Sequence, residues 1–434
     1  MATTSQLHHP VGDWHETEHS HCLDRQIDEC QRDDRRDCDE RHPNDTCAAQ
    51  DATPSLGGGA TGPPHKRPGQ VQRSCDHDDC GTAYHPQGAH ALRTLLANAA
   101  SKAAHYRLER GDAMAREVRP PTSAQFATAR AAVAAHLQPT PVVPLHTALG
   151  TLWCKLESLQ PVGSFKVRGA IAAVSAAVSR RPDVEVVTCS AGNHGLGVAY
   201  AAQQLSVPAT VVLATSASAV KVAKLKGFAI ELVQHGESFA EAQAFALELA
   251  RTRDAVYISP YNDPDVIAGQ STVATELLDQ IPDLAHLLVP VGGGGLLSGI
   301  GLALHEQSST VALLGLQPAR YASMVASLLE GRAVDTGHND TIADGLAGAI
   351  EDGSITIGII QELGIPVVTL EEAQIRAAVR TAAIDHGLVL EGSAAIALAA
   401  AELGMVPFDD GPVAMIATGR NLTASLLAEL IDAD

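Results

Sequence analysis

Positive charge is scarce in this chain: its 434 residues include 30 Lys and Arg against 50 Asp and Glu, a formal net charge of −20. Because nucleic-acid surfaces require clustered positive charge, we expect no nucleic-acid partner. Uninterrupted apolar segments are also missing, since the charge-free apolar run at residues 287–304 contains Pro290 and six glycines. That run predicts a strand, a loop and a helix, so we expect no membrane partner. No apolar stretch opens the chain either, and we expect a cytoplasmic protein.

The first 113 residues have almost no apolar periodicity, although they carry 11 of the 19 His and 6 of the 8 Cys. Zinc sites usually contain two close pairs such as Cys-x2-Cys. The spacings between these six cysteines are 8, 8, 9, 28 and 5, so we expect no metal site. Such a segment cannot bury enough apolar surface to offset its ordering entropy. Residues 1–113 are therefore predicted to be a disordered extension, and a functional start at Met114 stays open.

From Met114 onward, apolar runs alternate with amphipathic helical patterns. This βαβ rhythm predicts an α/β fold, a three-layer αβα arrangement with mostly parallel sheets. A first helix is expected to begin just after Pro120 and Pro121. Its buried face is predicted to comprise Phe126, Ala129, Val133 and Leu137. Buried strands are predicted at residues 184–189, 209–213, 229–233, 255–258, 287–291, 311–316 and 413–417.

Four consecutive glycines lie between a predicted strand and an apolar helix. These are Gly292, Gly293, Gly294 and Gly295. They expose backbone N–H groups without a Cβ, and the helix that follows adds its positive N-terminal end, which together suit a phosphate. The segment has neither the Gly-Lys-Ser/Thr of a P-loop nor the Gly-x-Gly-x-x-Gly pattern of a dinucleotide site. We predict a site for a small phosphorylated cofactor, with a flexible turn as the alternative.

Only five lysines follow Met114, and one of them is a candidate nucleophile. Three, Lys221, Lys224 and Lys226, lie close together on a predicted solvated helix. Lys155 falls in a presumed strand. Lys166 follows the aromatic Phe165 and begins a helix of small residues, so it is the natural candidate for a Schiff base with a carbonyl cofactor. The alternative is a surface lysine at the start of a helix.

Two further loops each follow a predicted strand. In the loop at residues 190–195, backbone N–H groups at a helix start would hold a carboxylate, and Asn193 would hydrogen-bond a second group. The alternative is an ordinary helix cap formed by Ser190 or Asn193. In the loop at residues 417–421, the hydroxyl of Thr418 would contact a heteroaromatic nitrogen or cap the last helix.

The order of these four motifs resembles that of the pyridoxal-phosphate enzymes of the tryptophan-synthase β fold, or fold type II. Ser-Phe-Lys-x-Arg-Gly comes first, followed by Ser-x-Gly-Asn-His, four glycines, and a small hydroxyl residue before Gly-x-Asn. Within that fold the chain is similar to the serine/threonine dehydratase family. The resemblance runs from about Thr140 to Asn421 and includes no residue before Met114.

The resemblance implies a role for each motif. Lys166 would bind pyridoxal 5'-phosphate covalently and act as the catalytic base. Phe165 would pack against the cofactor ring, Asn193 would hydrogen-bond its 3-hydroxyl, Gly292, Gly293, Gly294 and Gly295 would hold its phosphate, and Thr418 would face its pyridine nitrogen. Ser190, Gly192 and His194 would bind the carboxylate of an amino-acid substrate. The implied reaction converts L-threonine or L-serine to a 2-oxo acid and ammonia by β-elimination.

Several positions depart from the family pattern. Ala191 replaces the second serine of racemase-like members, so dehydration is favoured over racemisation. Gln317 replaces a carboxylate that holds a divalent cation in some members, so no metal site is expected. Leu196 and Gly392 replace a more usual glutamine and proline near the expected substrate pocket. Open alternatives are an ammonia-lyase for 3-hydroxyaspartate or phenylserine, an amino-acid racemase, and a non-catalytic paralogue that binds pyridoxal phosphate or an amino acid.

The resemblance also implies a two-lobed architecture. Residues 114–184 and 266–434 would form a large domain that binds pyridoxal phosphate, and residues 185–265 would form a small inserted domain. The cofactor would lie in the cleft between them, where closure would exclude water. Enzymes of this fold are commonly dimers, so a homodimer is the expected assembly.

Overall fold

The computed structural model describes residues 118–337 and 340–432. The predicted disordered extension, residues 1–113, lies outside the described residues, as do the six cysteines for which we expected no metal. Within the described part of the chain, no helix is long and apolar enough to cross a membrane.

Ten strands form two sheets in the described residues. The strands are β1 Val142–Thr147, β2 Gly150–Lys155, β3 Val186–Cys189, β4 Ala209–Leu213, β5 Glu231–Gln234, β6 Val256–Tyr257, β7 His286–Pro290, β8 Ala312–Pro318, β9 Val367–Leu370 and β10 Val413–Ile416. The larger sheet has the order β1-β2-β10-β7-β8-β9, and the smaller has the order β5-β4-β3-β6. All pairings are parallel except that between β1 and β2. The predicted α/β fold with mostly parallel sheets is confirmed.

Helices connect the strands. They are α1 Ser123–His136, α2 Lys166–Arg180, α3 Asn193–Leu205, α4 Ala219–Leu225, α5 Phe239–Thr252, α6 Pro264–Gln270, α7 Thr272–Gln280, α8 Gly295–Glu306, α9 Ser323–Glu330, α10 Ile355–Glu362, α11 Glu372–Ile384, α12 Gly392–Glu402 and α13 Ala424–Asp432. The predicted start of α1 is confirmed: Thr122 and Gln125 form a reciprocal capping box there. The predicted apolar face of α1 is buried.

Alternation along the strands places a core on each face of the larger sheet. On β7, Leu288 packs with Met415 of β10 and with the small residues of α12. Its neighbour Val289 points to the opposite face, where it packs with Leu297 and Ile300 of α8. This period of two is the signature of a strand covered on both sides. The predicted three-layer arrangement is therefore present in the larger sheet.

The smaller sheet is also covered on both faces. On one face, Val186 of β3 shares a core with Val167 and Ile171 of α2. On the other face, Val187 packs with Ala246 of α5. Helix α2, which begins at Lys166, therefore packs against the smaller sheet although it follows β2 of the larger one. The division into domains at residues 185 and 265 stays a prediction.

All seven predicted strands are present, with ends shifted by up to two residues. Lys155 was placed in a presumed strand without bounds, which is β2, and strands β1 and β9 were not predicted. Both are edge strands of the larger sheet, and most of their side chains are only partly buried. They therefore lack the continuous apolar run that identifies a central strand.

Candidate active site

Lys166 is the first residue of α2, and main-chain contacts hold it near the end of β10. Ser164 forms an isolated bridge with Gly419, and the N–H of Phe165 donates to the carbonyl of Thr418 at 3.0 Å. The half-buried Lys166 donates from Nζ to the carbonyl of Pro260 at 2.9 Å. Burial lowers the pKa of Lys166 to about 8. A substantial fraction of this amine is therefore neutral near physiological pH and able to attack a carbonyl.

The glycine loop lies between β7 and α8, as the sequence predicts, and α8 begins at Gly295. Gly294 has a φ of +84°, which few residues other than glycine adopt readily. A Cβ at Gly293 would overlap the ring of Tyr261. Among the described residues, no atom accepts a hydrogen bond from the N–H of Gly292, Gly293 or Gly294. Free donors at the start of a helix fit a phosphate group.

Asn193 is the first residue of α3 and makes two side-chain contacts across the site. Its Nδ2 donates to Oε1 of Glu391 at 2.8 Å, and its Oδ1 accepts from Nδ2 of Asn421 at 2.7 Å. These contacts occupy the amide oxygen and one amide hydrogen. The second amide hydrogen has no acceptor among the described residues. One amide hydrogen of Asn193 is therefore available to a ligand.

Glu391 is a buried carboxylate to which sequence reasoning assigned no individual role. Its Oε2 accepts from the N–H of Asn421 at 2.8 Å. Burial and the charge of Asp344 raise the pKa of Glu391 to about 7. The one sequence signal was its place in Glu-Gly-Ser before the small-residue helix α12. Its contact with Asn193 spans 198 positions, so local patterns could not predict it.

The loop after β3 carries the three predicted carboxylate ligands. Gly192 donates from its N–H to Oγ of Ser190 at 3.2 Å. His194 is buried, and its Nε2 lies 3.3 Å from the carbonyl of Ile258. Burial, together with the charge of Lys166, lowers the pKa of His194 to about 3, so the ring is neutral. The ring therefore contacts the chain after β6 as an uncharged group.

Thr418 follows β10 and is buried. Its hydroxyl lies 3.3 Å from the carbonyl of Ser393, to which it donates. The alternative that Thr418 caps the last helix is wrong, because Thr423 accepts from the N–H of Leu426 in the first turn of α13. Its main-chain contact with Phe165 brings the Thr418 loop to the Lys166 loop.

Gln317 lies at the end of β8, where the family resemblance raised the question of a metal. Its Oε1 accepts from the N–H groups of Met324 and Val325 at 3.0 and 3.1 Å. The amide oxygen thus binds the first turn of α9 directly. Within residues 118–337 and 340–432, no group of three or more His, Cys, Asp and Glu is placed to hold a metal ion.

The four predicted loops thus lie close together. The Lys166 and Thr418 loops share main-chain contacts. Asn193 joins the Asn421 segment through its side chain. Pro260, which accepts from Lys166, precedes the Tyr261 ring that packs on Gly293. A nucleophilic amine, an amide donor and a set of free N–H groups fit a carbonyl cofactor that carries a phosphate.

Comparison with known proteins identifies the class to which this fold and site belong. Residues 133–419 match the family model described as pyridoxal-phosphate dependent enzyme. The chain belongs to that family of enzymes, and its cofactor is pyridoxal phosphate. The resemblance inferred from the motifs is confirmed.

Particular relatives are named threonine ammonia-lyase. The chain is 35% identical over 283 residues to L-threonine ammonia-lyase of Thermotoga maritima, covering 65% of this chain and 70% of the relative. Among solved structures, threonine deaminase isoform 2 of Solanum lycopersicum is 31% identical with a TM-score of 0.64, covering 74% of this chain and 93% of that one. Maize serine racemase is 28% identical with a TM-score of 0.67, covering 72% and 97%.

Proposed function

We propose that the protein is an ammonia-lyase that converts L-threonine or L-serine to a 2-oxo acid and ammonia. The observation that carries this proposal is the hydrogen bond of Lys166 Nζ to the carbonyl of Pro260, whose neighbour Tyr261 packs on Gly293 of the glycine loop. The relatives named threonine ammonia-lyase and threonine deaminase support it. When bound, pyridoxal phosphate supplies an electron sink that stabilises negative charge at the substrate Cα.

Lys166 is proposed as the residue that binds the cofactor and then serves as general base. When free, its Nζ would remove the substrate Cα proton, and the hydroxyl at Cβ would take up a proton and leave as water. Water would then hydrolyse the released unsaturated amine to the 2-oxo acid and ammonia. The lowered pKa supports this role, because a base must be neutral to accept a proton. The hydrogen bond to Pro260 would keep Nζ in place when it is free.

Four groups are proposed to hold the cofactor. The N–H groups of Gly292, Gly293, Gly294 and Gly295 would bind its phosphate. Phe165 would pack against its ring, and Asn193 would donate to its 3-oxygen. Thr418 would turn its hydroxyl from the Ser393 carbonyl to donate to the pyridine nitrogen. A neutral hydroxyl there makes the ring a weaker electron sink than a carboxylate partner would. A weaker sink suits β-elimination, since the negative charge at Cα need persist only until the hydroxyl departs.

The substrate carboxylate is proposed to bind at the start of α3. Ser190 and Gly192 lie at the positive end of that helix, where the N–H of Gly192 would donate to the carboxylate in place of Ser190 Oγ. His194 would contribute its main-chain N–H, because its neutral ring has Nε2 near the Ile258 carbonyl. With Nε2–H donating there, Nδ1 is left as an acceptor, which cannot bind a carboxylate.

The architecture and setting are proposed from the same resemblance. We propose a large domain of residues 114–184 and 266–434 and a small inserted domain of residues 185–265. All four strands of the smaller sheet lie within 185–265, which supports this division. A homodimer is proposed, and sedimentation equilibrium of the full chain would measure it. A cytoplasmic location is proposed too, and the free thiols of Cys154 and Cys189 fit a reducing compartment.

The deciding experiment is an assay of the full chain with added cofactor against L- and D-threonine, L- and D-serine, 3-hydroxyaspartate and phenylserine. Release of 2-oxo acid from L-threonine or L-serine is the expected result. Release from 3-hydroxyaspartate or phenylserine alone would contradict the proposed substrate. Interconversion of enantiomers without 2-oxo acid would identify a racemase. Absence of both, with cofactor bound, would identify a binding protein.

A further inference from the structure

Four ionisable side chains that the proposed chemistry does not use are packed together near the start of α2. Lys155, Glu157, Arg168 and Glu276 form what we call the buried ion cluster, with two positive and two negative charges. The side chains of Lys155, Glu157 and Arg168 are fully buried, and that of Glu276 is 17% exposed. Burying charges is costly unless each is paired and hydrogen-bonded. Such a cluster needs near-complete pairing to persist.

Arg168 is at the centre of the cluster and uses all five of its N–H donors. It donates to Glu157 from Nε and Nη2, both at 2.7 Å. It donates to Glu276 from Nη1 at 2.6 Å and from Nη2 at 2.8 Å. The fifth contact runs from Nη1 to Oγ1 of Thr272 at 3.1 Å. Two carboxylates are thus bound by two edges of one planar guanidinium, a geometry that lysine cannot reproduce.

The other members complete the pairing and tie the cluster to the larger sheet. Lys155, the last residue of β2, donates to Glu276 at 2.5 Å and to the carbonyl of Thr140 at 2.8 Å. Thr140 in turn donates to Oε1 of Glu157 at 2.6 Å. Burial alone would raise the pKa of Glu157. The charge and hydrogen bonds of Arg168 outweigh burial, so the pKa of Glu157 is lowered from its usual value. The cluster is therefore a charge-balanced junction between β2, α2 and α7.

The first turn of α2 is held by the contacts of Arg168 and by the packing of Val167, which is fully buried. Its N-cap residue is Phe165, and no side chain caps the helix at that end. Lys166 and Arg168 are two residues apart, so their side chains leave the helix about 200° apart. Arg168 therefore makes its contacts on one side of the helix, and Nζ of Lys166 donates to the carbonyl of Pro260 on a different side.

We propose that Arg168 is a positioning residue for Lys166. Its two carboxylate contacts fix the rotation and the position of the first turn of α2, and thereby the place of Nζ. This inference rests on the proposed function, in which Nζ attacks the cofactor and then moves a proton. Displacing a reacting atom by about 1 Å can cost about a hundredfold in rate. Loss of the contacts should slow every step that depends on the place of Nζ.

The test compares Arg168→Lys with Arg180→Lys in the full chain. Arg180 is at the other end of α2, and its partly exposed side chain pairs with Asp265. The main measurement is the rate constant for coupling of added pyridoxal phosphate to Lys166, followed by absorbance. Hydrogen exchange of the amides in the first turn of α2, thermal unfolding, kcat and KM are measured beside it.

Arg168→Lys is expected to slow coupling and lower kcat by about tenfold to a hundredfold, with KM within about threefold of wild type. Amide exchange in the first turn of α2 should accelerate. Arg180→Lys should leave coupling and kcat within about twofold of wild type, since exposed ion pairs contribute little. A folded Arg168→Lys protein that couples at the wild-type rate would overturn the inference.

A milder variant keeps the inference testable if Arg168→Lys does not fold. Thr272→Val removes one acceptor of the guanidinium with little change of volume. It should slow coupling by about threefold, and unchanged coupling would overturn the inference. A wild-type chain in which Lys166 does not couple at all would overturn the proposed function as well. Normal wild-type coupling with unaffected variants would overturn only the role of Arg168.

Discussion

At the scale of single residues, Lys166 differs from Lys155 and Lys221 in that its amine donates to a main-chain carbonyl and pairs with no carboxylate among the described residues. Lys155 is buried as well, but its amine is paired with the carboxylate of Glu276. Lys166 has a main-chain carbonyl as its hydrogen-bond partner. The sequence identified this residue because it follows an aromatic and begins a small-residue helix. Its burial and partner required the fold.

The pH dependence of cofactor coupling tests the environment of Lys166. Burial lowers its pKa to about 8, whereas an unperturbed lysine has a pKa of about 10.4. Because the neutral amine is the nucleophile, coupling to pyridoxal phosphate should accelerate as pH rises and level off just above 8. Absorbance measured from about pH 6 to about pH 11 gives the profile. A rate that still rises steeply between about pH 9 and about pH 10 contradicts this environment.

Glu391 gives a second prediction at this scale. Its pKa is raised to about 7, above the value of about 4.3 for an exposed glutamate. A raised acid pKa means that the folded state binds the proton more tightly than the unfolded state. The stabilisation is complete below about pH 4 and is lost as pH rises through about 7, by up to about 3 kcal/mol.

Glu391→Gln should remove this pH dependence. Chemical denaturation at about pH 4.5 and about pH 7.5 gives the difference in unfolding free energy for each protein. The difference should be smaller in the variant, while Asp344 and Lys224, the other charges that act on Glu391, remain in both. Equal differences in the two proteins would show that Glu391 does not titrate in this range.

At the scale of elements, the glycine loop joins β7 to α8 with no room for a side chain. A Cβ at Gly293 would overlap the ring of Tyr261, whose hydroxyl accepts from the N–H of Glu351 at 2.7 Å. Gly293→Ala should therefore displace the loop or the ring and weaken pyridoxal phosphate binding by about tenfold or more. Equilibrium dialysis of the cofactor measures the change.

A matched control for Gly293→Ala is available on α10. Gly358 is exposed, and a Cβ there would meet nothing within 4 Å. Gly358→Ala should leave cofactor binding unchanged and stabilise the helix by about 0.5–1 kcal/mol. If Gly293→Ala binds the cofactor as tightly as Gly358→Ala, the loop is not the phosphate site.

Element ends show which features a sequence can predict. The glycine loop and the starts of α1 and α2 are encoded by residues within a few positions of the turn, so they were found. Strand β1 was missed because it is an edge strand whose exposed positions interrupt its apolar pattern. The hydrogen bond of Asn193 to Glu391 joins two elements distant in the chain, and local periodicity carries no information about it.

At the scale of the whole molecule, the site depends on both sheets. Asn193 follows β3 of the smaller sheet, whereas the glycine loop and Thr418 follow β7 and β10 of the larger one. Ligand sites in parallel sheets lie at the carboxyl ends of the strands, so the order of the motifs could predict this convergence. The buried ion cluster could not be predicted, because its charges are separated by up to 121 positions and look like surface residues in the sequence.

The central claim is that these loops converge on Lys166 as the residue that binds pyridoxal phosphate. The most direct test is to reduce the cofactor-loaded full chain with borohydride and to locate the cofactor by peptide mass spectrometry. The account predicts cofactor on the peptide that contains Lys166 and none on any peptide of a Lys166→Ala variant. Cofactor attached instead to Lys155, Lys221, Lys224 or Lys226, with Lys166 unmodified, would contradict it.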